Sequence, residues 1–72
     1  MTCVEFVDLL KENKIDTSIV YFENSVADGY YVLKNYHRWE VFYRERGKEY
    51  DCIGFPCESD ALIYLADKLI RN

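Results

Sequence analysis

The sequence predicts a single small α+β domain, residues 1 to 72, in which an N-terminal and a C-terminal helix pack on one face of a four-stranded antiparallel meander. Three observations predict it. The stretch from Trp39 to Arg44 alternates with the period of a half-buried strand, placing Trp39, Val41 and Tyr43 on one side of the pleat and Glu40, Phe42 and Arg44 on the other. Both ends of the chain instead carry apolar residues at three- and four-residue steps, the spacing of amphipathic helices. Half of the residues are apolar and 17% are aromatic, enough for one real core in a chain this short and too many for disorder.

The elements follow in order. Thr2 and Glu5 have the spacing of a capping box, so a first helix is expected over residues 3 to 13, burying Cys3, Phe6, Val7 and Leu10 and wetting Glu5, Asp8, Lys11 and Glu12. Asn13 and Lys14 end it, Asn because it tolerates the left-handed conformation, and Ile15 tucks beneath. Residues 18 to 23 are β-branched and aromatic and read as a short strand near an edge. Residues 24 to 29 form the longest turn-like stretch, where Asp28 and Gly29 let the chain either reverse or enter the next strand at an unusual φ. A second strand covers 29 to 34, and residues 35 to 38 turn it into the Trp39 strand, which is expected to be central.

The last hairpin has two candidate registers. A three-residue loop, 45 to 47, pairs Val41 with Asp51; a four-residue loop, 44 to 47, pairs Trp39 with Cys52 and Val41 with Tyr50, and burial favours the latter. The fourth strand spans 49 to 55, with a bulge expected at Gly54. Pro56 stops it, and Glu58 and Asp60 provide the acidic first turn of a closing helix whose core stripe is Ala61, Leu62, Leu65 and Leu69, bordered by Ala66 and Ile70. Cys57 stands where a hydroxyl cap is usual.

Thirteen acidic against nine basic residues give a net charge of −4. That sign disfavours direct nucleic-acid binding, which draws its affinity from Lys and Arg, and suits a basic protein partner. Cys3, Cys52 and Cys57 are odd in number and fit neither a zinc site nor a paired disulfide framework, so reduced thiols are expected. Glu5 and Asp8 interrupt any apolar leader and no stretch is long enough for a membrane span, which points to the cytoplasm.

No residue set announces a reaction. His37, the only histidine, sits in a turn without a triad-like nucleophile, the acids are scattered, and no phosphate loop or internal repeat occurs; neither a metal nor a cofactor is expected. The seven tyrosines are the better lead, because an amphipathic ring of low side-chain entropy suits protein interfaces. With Trp39, Val41 and Tyr43 turned to the helices, the other sheet face is expected to be open and to show Phe42 among Glu40, Arg44, Glu49 and Asp51, an apolar centre with a charged rim.

The Trp39 strand ending in Glu45, Arg46 and Gly47, followed by the aromatic Phe55, the acidic helix start, Asp60-Ala61 and Tyr64-Leu65, resembles the small immunity proteins encoded beside bacterial polymorphic toxins and contact-dependent growth inhibition toxins. The likeness spans residues 29 to 70, and Cys57 departs from it. It implies a non-enzymatic protein, kept in the producing cell, that binds a cognate toxin domain, often a basic nuclease, and neutralises it by occlusion. Faces and charge, not the resemblance, nominate the contacts: Asp28, Glu40, Glu45, Glu49 and Asp51 for electrostatics, Tyr31 and Phe42 as apolar anchors. A small cytosolic adaptor using the same face, and a minor enzyme using His37, are the alternatives.

Overall fold

The computed structural model describes residues 1–71. Helix α1 (Cys3–Glu12) leads through a 3-10 turn (Thr17–Ile19) into β1 (Val20–Tyr21), then β2 (Gly29–Asn35), β3 (Arg38–Glu45), β4 (Lys48–Phe55) and α2 (Glu58–Arg71). The four strands lie in chain order in one sheet, so β3 is central. The α+β class is as expected, and both helices share the sheet face that carries Val32 and Val41.

The sheet is mixed, not an antiparallel meander: β1 runs parallel to β2, Val20 opposite Tyr30 and Tyr21 opposite Tyr31. A parallel pair ordinarily needs a crossover of a dozen residues or more. Here β1 holds two residues, so the chain must climb back only about 7 Å, and residues 22–28 suffice. Strand composition at 18 to 23 marks an extended edge but says nothing of direction.

Helix α1 begins as its spacing requires. The Glu5 amide donates to the Thr2 hydroxyl at 3.2 Å and the Thr2 amide to the Glu5 carboxylate at 3.1 Å. The Thr2 backbone and side-chain hydrogen bonds hold the Glu5 carboxyl below the usual carboxylate range. At the other end the Lys14 amide donates to the Lys11 carbonyl at 3.0 Å and the Ile15 amide to the Leu10 carbonyl at 2.9 Å, a Schellman closure. Its left-handed residue is Lys14, at φ 59°, and not Asn13. Lys14→Gly is therefore expected to stabilise the fold by about 1 kcal/mol, read as a higher urea midpoint with unchanged slope.

The core joins Phe6 and Leu10 of α1, Val20, Val32 and Val41 of the sheet, and Ala61, Leu62, Leu65 and Ala66 of α2. The α2 stripe is close to the expected one, with Ala66 buried and Leu69 half-buried. Trp39 packs at the margin of this core, half-buried beside its register partner Phe55.

Neither proposed register of the last hairpin occurs. Glu45 pairs with Lys48 around a two-residue turn, Arg46 at φ 51° and Gly47 at φ 80°, whose twist matches that of the strands. Tyr43 then pairs with Tyr50, but Val41 pairs with Ile53, so β4 carries an extra residue between them. Asp51, at φ 54°, sits in that bulge, which was expected at Gly54. The tight turn sets the register at one end, and the bulge restores it so that Ile53 and Phe55 fall on the side of Val41 and Trp39. The outer edge of β4 is the exposed margin of the sheet.

Candidate interaction surface

The face of the sheet turned from the helices carries Tyr31, Leu33, Glu40, Phe42 and Arg44, with Tyr31 opposite Phe42 and Leu33 opposite Glu40. It is not open at its centre. Tyr31 is 0% exposed and Phe42 4%, which corrects the expectation of accessible apolar anchors.

Two things cover them. Residues 24–27 of the crossover lie over this face, and the Tyr31 hydroxyl donates to the Ala27 carbonyl at 2.6 Å, with the Ser25 carbonyl 3.1 Å away as a second acceptor for the same hydrogen. The rings of Tyr21, Tyr31 and Phe42 form a stack, with centroids 5.1 Å apart for the first pair and 5.2 Å for the second. The Arg44 guanidinium lies over it, 4.6 Å from the Tyr31 centroid and 5.2 Å from that of Phe42. The same guanidinium donates to the Asn24 side chain at 2.8 Å, to the Ser25 carbonyl, and to Glu49 at 2.8 Å. Its bond to Glu49 raises the Arg44 pKa above the ordinary arginine value, and its side chain is only 14% exposed. Arg44 is thus a clasp between sheet and crossover, a role that its place in an alternating strand does not reveal.

Around this clasp remains a shallow depression lined by Phe22, Glu23, Leu33, Lys34, Glu40 and Glu49, with the edge of Phe42 in its floor. Glu40 is steered by Asn35, which donates to it at 3.1 Å, and by Arg38, which donates at 3.3 Å. Of the residues nominated from sequence, Glu40, Phe42 and Glu49 come together here, above the buried Tyr31. Glu23 and Leu33 belong to the same surface and were missed: strand alternation from Tyr31 would have found Leu33, whereas nothing in the sequence folds Glu23 and the crossover back over the strands.

The other nominated acids lie elsewhere. Asp51 is on the helix side, its carboxylate 3.7 Å from the Lys68 ammonium of α2, because the bulge turns it out of the pleat. Asp28 accepts the Arg46 amide at 3.0 Å and ties the crossover to the β3–β4 turn. Glu45 is exposed at the end of β3, beside that turn. The seven residues therefore do not form one patch.

Burial raises the thiol pKa of Cys3, with Glu58 adding to it, and burial followed by Glu40 and Glu49 raises that of Cys52, so both are poorer nucleophiles than a free thiol. His37 is exposed in the two-residue turn between β2 and β3. Among the described residues no group of three or more His, Cys, Asp and Glu is placed to hold a metal ion, and no helix is long and apolar enough to cross a membrane. No protein-family model, curated protein or solved structure matches the chain.

Proposed function

We propose that this chain is a non-enzymatic binding protein that neutralises a basic protein partner, in the manner of the small immunity proteins it resembles in sequence, by covering that partner's active site or nucleic-acid-binding surface. The observation that supports this reading is the far-face depression. Its rim carries the carboxylates of Glu23, Glu40 and Glu49 beside Lys34; Glu40 is paired with Arg38 and Glu49 with Arg44, which leaves Glu23 without an ion pair among the described residues. Carboxylates held on a rigid sheet compete for the lysines and arginines that a nuclease uses to grip phosphates. The hydrogen bonds from Asn35 and Arg38 fix the Glu40 carboxylate before any encounter, which lowers the ordering cost of binding. In the producing cell, the partner would be a toxin domain encoded nearby.

The deciding experiment is growth rescue: coexpression with the toxin domain of the adjacent gene should restore growth, and a failure to rescue or to bind that domain removes the proposal. Given a partner, the double reversal Glu23→Lys with Glu40→Lys is expected to slow association about tenfold at low salt and to flatten its salt dependence, with the melting temperature nearly unchanged. A collapse of melting with an intact association rate would assign these acids to the fold instead.

A further inference from the structure

We propose that the cavity at the far end of the helix side, walled by Tyr30 and Tyr43 and flanked by Asp28, Asp51 and Lys68, is a receptor for a guanidinium group, namely an arginine side chain projecting from a basic protein partner. It measures about 460 Å³ and is lined also by Ile19 and the buried Gly29. The identity of the partner rests on the role proposed above; the receptor itself does not.

Four features carry the inference. The Tyr30 and Tyr43 rings meet edge to face with centroids 5.0 Å apart, and both residues line the cavity. Asp28 spends one carboxylate oxygen on the Arg46 amide, and its other oxygen makes no hydrogen bond among the described residues. Asp51 is held by the bulge with its side chain 73% exposed, loosely paired with Lys68 at 3.7 Å, beyond hydrogen-bonding distance. Finally, the Tyr43 hydroxyl has a raised pKa, first from burial and then from Glu45, Asp28 and Tyr30, which records the negative surroundings. Two carboxylates and one ammonium leave the cavity net negative, and Lys68 acts as an internal stand-in for the cation it attracts. A guanidinium fits better than an ammonium, since its planar fork bonds carboxylates in pairs and stacks on aromatic rings.

The test titrates isotope-labelled protein with N-acetylarginine methylamide and, separately, with the citrulline counterpart, which has the same shape and no charge. Saturable amide shifts are expected at Gly29, Tyr30, Tyr43 and Asp51, with a Kd in roughly the millimolar range and a response to citrulline at least tenfold weaker. Asp28→Asn, which keeps an acceptor for the Arg46 amide, combined with Asp51→Asn, should weaken arginine binding at least fivefold in a protein whose spectrum stays dispersed. Lys68→Met should strengthen it at least twofold by removing the competing ammonium. Equal response to both probes, shifts centred on another surface, or weaker binding in Lys68→Met would overturn the proposal. No partner is present in this titration, so its failure leaves the neutralising role standing, whereas failed growth rescue beside intact arginine binding removes the role and keeps the receptor.

Discussion

Gly29→Ala is expected to lower folding free energy by about 3 to 5 kcal/mol, seen as a reduced urea midpoint at constant slope. Gly29 enters β2 at φ 153°, a backbone region that residues with a Cβ rarely adopt. A methyl group there would stand 2.6 Å from Tyr21 Cε2 and 2.8 Å from the Ile19 carbonyl oxygen. The ring could swing aside only by leaving its stack on Tyr31, and the carbonyl is backbone at the end of the 3-10 turn, just before β1. Trimming Tyr21 to alanine in the same molecule should therefore recover little. Since a small domain has a net stability of about 5 to 15 kcal/mol, the substitution takes a large share of it. A loss below about 1 kcal/mol would mean that β1 is not pressed against Gly29.

Tyr31→Ala should cost a similar amount, about 3 to 5 kcal/mol, because it empties the centre of the far face. The fully buried ring is held between Tyr21 and Phe42. Tyr31→Phe separates packing from hydrogen bonding: it keeps the stack and strips the donor that serves Ala27 and Ser25, for an expected loss of about 1 kcal/mol. In the alanine variant, hydrogen exchange should quicken across residues 22–28, whose attachment to the sheet depends on that hydroxyl and on Arg44. If the alanine variant melts like the parent yet binds a partner more weakly, Tyr31 is a contact residue after all.

The helices and the central strand were legible because each is written in local terms. The Thr2 and Glu5 capping box, the Leu62 and Leu65 stripe and the Trp39, Val41 alternation depend on neighbours within one or two turns of chain. What was not legible depends on distant pairings. The direction of β1 follows from how far the chain must return, not from the residues in it. The register of the last hairpin follows from a left-handed Arg46, a residue type that seldom adopts that conformation, and from a left-handed Asp51, one of many acids in the chain and not marked out from the others by its neighbours. The site suffered most: a pleat drawn from sequence correctly puts Phe42 and Tyr31 away from the helices, but exposure on that side is decided by a crossover whose path no periodicity encodes. Asp51 shows the same limit, since one inserted residue moved its carboxylate to the opposite side of the sheet.

That inserted residue also matters for solubility. β4 offers its outer row of amides and carbonyls to solvent along eight residues, in a chain that is half apolar. A flat ribbon of that length invites strands from other molecules to zip onto it and seed fibrils. The left-handed kink at Asp51 breaks the ribbon into two short pieces twisted away from each other, so an intruding strand finds no continuous template.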